Sequence, residues 1–309
     1  MPGIGIILNP YSSLYRNDPE RLKRVGFIVG DRGSCHATDT LDDVRELASE
    51  FKERDIDILG ISGGDGTNHK TLTAFIKVYG EKPLPRIAFL RGGTANNTAT
   101  QLGIRGTPER ILSNLMFKYH ESQPFKEARI HMIRVNGEYG FIYGVGAPER
   151  FISRYLEVAE YGKFRAACIL LRGMFSALFN GRFARMLCKR FDCKLLIDGR
   201  PVPIKNCVAM VAGSGRSLGF NFRTLYRATS DPGRFQIVAV SATPRQFLAT
   251  FPRMLLAKPT KSKHVIDEMA SSAAFEFDRP MPYVVDGEIL GPTDRIEIAT
   301  GPLLTCIVS

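Results

Sequence analysis

The 309-residue sequence lacks the cysteine patterns of a disulfide framework or a zinc site. No two cysteines form a CxxC pair, and no histidines follow a cysteine at zinc-finger spacing. This usage predicts reduced thiols in a cytoplasmic protein. The six cysteines are Cys35, Cys168, Cys188, Cys193, Cys207 and Cys306.

Long apolar runs are also missing. No uninterrupted apolar stretch reaches the roughly 18 to 20 residues that a membrane-spanning helix needs. The N-terminal sequence MPGIGIILNP has no basic lead, and its short apolar run is typical of a first strand rather than a signal peptide. Any membrane contact is therefore expected to be peripheral.

Acidic residues are outnumbered by basic ones, 31 to 42, which gives a formal net charge of +11. Such a surface attracts polyanions: phosphorylated ligands, an anionic membrane or nucleic acid. No zinc finger, RRM-like aromatic motif or lysine-rich arm is present, so we expect no nucleic-acid partner. At 44% hydrophobic residues, the chain is long enough for two domains with separate cores.

The pattern of apolar residues divides the chain into two parts. Over residues 1–125, short apolar runs alternate with helical patterns, which predicts an α/β domain with a mostly parallel sheet and flanking helices. Thr40 and the pair Thr107-Pro108 have the character of helix starts.

Residues 126–309 contain paired apolar runs around tight turns. The turns Asn136-Gly137, Asp198-Gly199 and Asp286-Gly287 are strong hairpin signals. They predict a mainly antiparallel β-sandwich domain with helical insertions, and the last strand is a candidate to return to the first domain.

The largest insertion is helical and basic. One face repeats apolar residues at intervals of three and four, and Arg165 and Arg172 lie beside it. The stripe consists of Phe164, Cys168, Leu171, Phe175 and Leu178. Two interpretations stay open: the stripe packs on the β domain and leaves the arginines solvated, or the insertion docks on an anionic membrane with Phe179, Phe183 and Leu187 in the interface.

Three glycines surround Asp65 where an apolar strand ends and a helix begins, in the segment Gly63-Gly64-Asp65-Gly66-Thr67. Glycine lets a backbone approach a ligand closely, and the amides of a helix start favour an anion. The spacing is neither that of a P-loop nor that of GxGxxG, since position 69 is His.

A second glycine loop, residues 91–97, follows the strand RIAFL. At the carboxyl ends of parallel strands, the two loops would place two anion-binding helix starts side by side. The alternative is that both are tight βα turns in which glycine serves geometry alone.

Together these segments resemble the diacylglycerol kinase catalytic-domain family of lipid kinases, which includes sphingosine and ceramide kinases. The resemblance is carried by SGGDGT at 62–67, GGTANNTATQLGI at 92–104 and VVDGEIL at 284–290, with ILNPYSS near the start and RATSDPGRFQIVAV further on. GGDGT alone is shared with NAD kinases, so the ordered set gives the specificity. The implied fold of the first domain is that of NAD kinases and diacylglycerol kinases.

The resemblance implies ATP and Mg²⁺ as cofactors. The residues expected to contact the nucleotide are Asn9, Gly63, Gly64, Gly66, Thr67, Gly93, Thr94 and Asn96. Asp65 would hold the magnesium ion carried by ATP or accept the proton of an attacking hydroxyl, and both roles stay open.

Glu288 is the second candidate catalytic residue, as the general base for a lipid hydroxyl. The preceding Asp286-Gly287 also fits a plain hairpin turn. Asp231 matches a metal position of the family only weakly, because Pro232 and Gln236 stand where that pattern has acids. Lys70 and Asn97 likewise remove negative charge, which puts a structural magnesium site in doubt.

The sequence therefore predicts a cytoplasmic, peripherally membrane-associated kinase that transfers the γ-phosphate of ATP to a lipid hydroxyl. Its acceptor would be diacylglycerol, or ceramide or a sphingoid base. An enzyme of the NAD kinase type is the same-class rival, and the late Asp-Gly-Glu segment argues against it. A lipid- or nucleotide-binding protein without catalysis is the other rival. The oligomeric state is not determined, and a homodimer is compatible with the sequence.

Overall fold

The computed structural model describes residues 3–157, 163–217, 222–260 and 262–308. These residues form two compact units. The first unit comprises Met1–Ile130 and Leu303–Ser309, and the second comprises His131–Pro302.

The first unit has a parallel sheet covered by helices. Its strands are β1 (Ile4–Leu8), β2 (Ser34–Ala37), β3 (Ile58–Ser62) and β4 (Arg86–Phe89), and its helices are α1 (Ser13–Asn17), α2 (Glu20–Val29), α3 (Leu41–Glu53), α4 (Asp65–Tyr79), α5 (Asn97–Gln101) and α6 (Pro108–His120). The strand order is β4-β3-β1-β2, and all three pairings are parallel.

The residues of β1 and β3 are buried throughout, because helices cover both faces of a parallel sheet. The end of the chain returns to this unit, where Cys306 pairs with Ile87 of β4 in parallel. The first unit thus has the predicted α/β architecture with a mostly parallel sheet.

Side-chain capping begins two of its helices at the predicted residues. The Thr40 hydroxyl accepts a hydrogen bond from the Asp43 amide, and the Asp43 carboxylate accepts from the Thr40 amide, forming a capping box at α3. Thr107 accepts from the Arg110 amide at the start of α6, with Pro108 as the first helical residue.

The second unit is built on antiparallel strands. They are β5 (Lys126–Val135, which starts in the first unit), β6 (Glu138–Gly140), β7 (Ile142–Gly146), β8 (Cys193–Ile197), β9 (Arg200–Val202), β10 (Ala209–Gly213), β11 (Phe235–Val240), β12 (Val265–Ala270), β13 (Ser272–Val285) and β14 (Glu288–Val308, which ends in the first unit). The order is β12-β11-β10-β7-β13-β14, with β5 and β6 joined through β14, and β8 and β9 through β13. This confirms the predicted antiparallel region.

The three predicted hairpin turns are present, and each places an Asn or Asp and then a Gly at positive φ. The angles are 46° and 86° at Asn136-Gly137, 48° and 75° at Asp198-Gly199, and 49° and 90° at Asp286-Gly287. Positive φ at both central residues is the geometry of a type I′ turn.

Within the described residues, the helices of the second unit are α7 (Ala147–Leu156), α8 (Lys163–Leu178), α9 (Arg182–Leu187) and α10 (Pro244–Leu255). In the described part of the chain, no helix is long and apolar enough to cross a membrane.

Candidate functional site

Three loops meet at the carboxyl edge of the parallel sheet in the first unit. They follow β1, β3 and β4, and hydrogen bonds join each loop to a neighbouring one. The Asn9 side-chain amide donates to Thr67 Oγ1 at 2.8 Å, and Thr94 Oγ1 donates to Ser13 Oγ at 3.0 Å. The Leu14 amide donates to the Gly92 carbonyl at 3.2 Å. The edge is therefore one connected surface of residues 9–14, 63–67 and 91–98.

Asp65 lies in the first turn of α4 and fastens the third loop. Its two carboxylate oxygens accept hydrogen bonds from the Asn97 amide at 2.9 Å and the Thr98 amide at 3.1 Å. Burial raises the pKa of this carboxyl group, against the lowering effect of the two amides, of the Thr98 hydroxyl and of Arg91. The carboxylate thus serves as the N-terminal cap of α5.

This cap changes the expectation of two open helix starts side by side. The first amides of α5 already donate to Asp65. The first-turn amides of α4 have no acceptor within their own helix, as at any helix start. The place for an anion is therefore the start of α4, and the loop after β4 forms its neighbouring wall.

Glycine is required here by the packing of the two loops on each other. A Cβ atom on Gly93 would lie 2.2 Å from the Gly64 Cα atom, and one on Gly92 would lie 2.9 Å from the Gly63 amide nitrogen. A Cβ on Gly64 would meet only the Gly93 Cα atom, at 3.4 Å. Geometry alone thus explains Gly92 and Gly93, while Gly64 has room that packing does not fill.

Asn96 holds the shape of the second glycine loop. Its backbone is left-handed, with φ 51°. Its side-chain oxygen accepts from the Gly93 amide at 3.0 Å, and its side-chain nitrogen donates to the Gly93 carbonyl at 2.6 Å. Both ends of the side chain are therefore engaged in positioning the loop.

The structure adds residues that the sequence motifs did not reveal. Tyr15 is buried on α1, with its hydroxyl against that of Ser62 at the end of β3; burial raises the Tyr15 pKa to about 12. Arg91 has φ 57° and donates to the Ile104 carbonyl at 2.8 Å. Tyr15 and Arg91 thus help to hold the loops in position. A tyrosine and a strand-end serine 47 residues apart give no local signal.

The Asp286-Gly287 turn and Glu288 lie in the second unit. The Asp286 carboxylate accepts from the backbone amides of Phe141, at 3.0 and 3.1 Å, and Ile142, at 3.0 Å. Asp286 therefore anchors the turn to the start of β7. Glu288 is the first residue of β14, opposite Val285, and is half-buried.

Asp231 lies in a turn and is paired with arginine. Arg234 contacts Asp231 at 3.5 Å and Asp198 at 3.1 Å, and donates to the Met269 carbonyl at 2.7 Å. The fully buried Gln236 donates to Asp267 at 2.6 Å. Among the described residues, no group of three or more His, Cys, Asp and Glu side chains could hold a metal ion. A protein-held Mg²⁺ at Asp231 does not fit this arrangement, because a guanidinium already neutralises the acids.

Comparison with known proteins agrees with the motifs on this edge. The family model of the diacylglycerol kinase catalytic domain matches residues 4–125, which include all three loops. These residues are similar to the diacylglycerol kinase catalytic-domain family. Among curated proteins, no sequence matches this chain.

Solved structures share the fold over nearly the whole length of this chain. The structure of a diacylglycerol kinase from Bacillus anthracis str. Sterne is 17% identical, with a TM-score of 0.70, and the match covers 99% of this chain and 97% of that one. Two further structures from the same organism, described as candidate diacylglycerol kinases, have identities of 16% and 18% and TM-scores of 0.68 and 0.69 at the same coverage. At this identity the likeness shows the fold.

Proposed function

We propose that the protein is an ATP-dependent lipid kinase that transfers the γ-phosphate of ATP to a lipid hydroxyl. The observation that carries the proposal is the connected edge of the first unit, where the glycine loops frame the start of α4. Residues 4–125, which contain this edge, match a kinase catalytic domain. The first unit would bind the nucleotide, and the second unit, with its extra strands and helices, would bind the lipid.

The phosphates of ATP would lie on the first-turn amides of α4, which supply partial positive charge. Gly63, Gly64, Gly66, Thr67 and Gly93 line this place or shape it. Asn9, Thr94 and Asn96 complete its walls through the contacts described above. Phosphoryl transfer depends mainly on positioning and charge neutralisation, which such a frame provides.

Magnesium would enter as the Mg-ATP complex rather than as a resident ion. Asp65 is the carboxylate at this edge, and carboxylate oxygens are ligands that Mg²⁺ prefers, so Asp65 would hold the ion. Bound Mg²⁺ would neutralise charge on the phosphates.

One observation favours Glu288 over Asp65 as the general base. Both oxygens of Asp65 already accept amide hydrogen bonds that hold α5. Asp286, the other acid of the turn, is likewise committed to the amides of β7. We assign to Glu288 the proton of the lipid hydroxyl, and to Asp65 the positioning of the glycine loop.

The acceptor would be diacylglycerol, or ceramide or a sphingoid base, presented by an anionic membrane to a cytoplasmic, peripherally bound enzyme. A homodimer is compatible with this activity. A binding protein without catalysis is the second candidate, because Asp231 is paired with Arg234 where a metal was considered.

The proposal is tested by incubating the protein with ATP labelled on the γ-phosphate, Mg²⁺ and either a total lipid extract or NAD. Label in an organic-soluble product supports the lipid kinase, and label in NADP assigns the NAD kinase activity instead. No transfer, with ATP binding retained, favours the binding protein.

Glu288→Gln tests the assigned base, and Glu297→Gln on the same strand is its matched control. A general base contributes roughly 10²- to 10⁴-fold to the rate. We expect a loss of kcat in that range for Glu288→Gln and wild-type transfer for the control. Equal rates in the two variants would remove Glu288 from the mechanism.

A further inference from the structure

The apolar stripe of α8 faces the solvent. Phe164, Leu171, Phe175, Leu178 and the adjoining Phe179 are 83%, 62%, 68%, 54% and 69% exposed. The positions recur at intervals of seven, four and three, so they share one side of the helix. The interpretation that this stripe packs on the β domain is wrong.

The opposite side of α8 makes the contacts with the rest of the second unit. Ala166 and Ala177 are buried. Arg245 of α10 donates to the Leu178 carbonyl at 2.9 Å, and Arg172 lies over the ring of Phe183 of α9, 4.7 Å from its centroid. Helix α8 is therefore packed against the second unit on one side and exposes the stripe on the other.

The segments that contain α8, α9 and α10 carry positive charge and no acid. Residues 163–191 contain seven Lys and Arg, and residues 243–263 contain five, and neither segment has an Asp or Glu. Arg182 and Arg185 are exposed on α9, and Leu255 and Leu256 are exposed at the end of α10. The Arg165 side chain lies outside the described ones.

We propose that the α8 stripe, Phe164, Leu171, Phe175, Leu178 and Phe179, is the surface that inserts into an anionic membrane. A helix that lies in a membrane interface buries large apolar side chains below the headgroups and places basic side chains beside anionic lipids. A second copy on the same face would bring two basic surfaces together, which charge repulsion opposes. The choice of a membrane over a protein partner rests on the proposed lipid kinase activity.

This assignment differs from the α9-centred surface that the sequence suggested. Phe183 and Leu187 are half-buried, and Phe183 is covered by Arg172. The sequence placed Phe179, Phe183 and Leu187 in the membrane interface, and of these three only Phe179 is strongly exposed. We infer that α9 supports the surface and supplies charge, while α8 supplies the insertion.

The chain has no tryptophan, so one substitution creates a specific probe. Phe175→Trp places the probe on the stripe, and Phe27→Trp places it on an 89% exposed position of the first unit as the matched control. With vesicles of phosphatidylcholine and phosphatidylglycerol, we expect the Phe175→Trp emission to shift to shorter wavelength and to be quenched by brominated lipid, and the control emission to stay unchanged.

Vesicle sedimentation gives the energetic test. Leu171→Glu/Phe175→Glu should lower the bound-to-free ratio on these vesicles at least about tenfold, because two large apolar side chains no longer enter the interface. Arg182→Glu/Arg185→Glu should also weaken binding, while Lys126→Glu/Lys205→Glu, an equal change of charge at other exposed sites, should weaken it less.

Membrane binding is measured here without ATP, so the two proposals can fail separately. Wild-type protein that ignores the vesicles yet phosphorylates a lipid in detergent would overturn the surface and keep the kinase. A stripe that inserts while no label is transferred would keep the surface and overturn the kinase. If the Phe175→Trp emission shifted with protein concentration in the absence of vesicles, the stripe would bind a second copy of the chain. If it shifted on addition of an oligonucleotide, the stripe would bind nucleic acid. Either result would contradict the membrane proposal.

Discussion

Asp65→Asn is expected to loosen the second glycine loop. The Asp65 carboxylate uses one oxygen for the Asn97 amide and the other for the Thr98 amide. An asparagine keeps one acceptor oxygen and turns an NH₂ group toward the other amide. One of the two amide hydrogen bonds is lost, and the other no longer involves a charge.

The size of the effect follows from these two bonds. A hydrogen bond to a charged group contributes about 1.5–3 kcal/mol, and a neutral one about 0.5–1.5 kcal/mol. The burial that raises the Asp65 pKa offsets part of the loss, because a neutral side chain is easier to bury. We expect the free energy of unfolding to fall by about 1–3 kcal/mol.

Urea unfolding followed by circular dichroism measures this change. Asp42→Asn is the control, since the Asp42 side chain is exposed and pairs with Arg45 on the same helix. An Asp65→Asn variant as stable as wild type, yet unable to bind ATP, would refute the capping argument and show that the carboxylate serves the ligand. A loss of activity in Asp65→Asn does not by itself make Asp65 catalytic.

Three further outcomes are expected. Gly93→Ala should lower the free energy of unfolding by about 1–3 kcal/mol, whereas Gly64→Ala should leave it nearly unchanged and weaken ATP binding in calorimetry; equal stability of the two would contradict the loop packing. Tyr143→Phe should be neutral or stabilising in urea unfolding, because this buried hydroxyl has no hydrogen-bond partner among the described residues; a clear loss of stability would reveal one. The Thr40 amide lowers the Asp43 pKa, so the advantage of wild type over Asp43→Asn should be full above about pH 4 and shrink as pH falls through the lowered pKa; a difference independent of pH would contradict this.

Local features of the fold were predictable because their causes are local. A threonine three residues before an acid begins α3, and a Thr-Pro pair begins α6. Asn-Gly and Asp-Gly form the hairpin turns because these residues tolerate positive φ. Such signals need no knowledge of distant parts of the chain.

The roles of the acids at the site depended on distant contacts and could not be predicted. Asp65 meets amides 32 and 33 residues away, and Asp286 meets amides more than 140 residues away. Each motif identified the acidic residue, but the sequence did not show that backbone amides donate hydrogen bonds to its carboxylate. The assignment of the base to Glu288 stays a prediction.

The α8 stripe shows the same limit in another way. Periodicity identifies which residues share a face of a helix, but it does not show what covers that face. Here the buried side consists of small residues such as Ala166 and Ala177, and the large apolar residues are outside.

The central claim, that the start of α4 holds the phosphates of ATP, is tested most directly by hydrogen–deuterium exchange with and without Mg-ATP. We predict that the amides of residues 64–67 become protected when the nucleotide binds. The amides of Asn97 and Thr98 should change little, because Asp65 already accepts their hydrogen bonds. Bound ATP that leaves residues 64–67 unprotected would contradict the account.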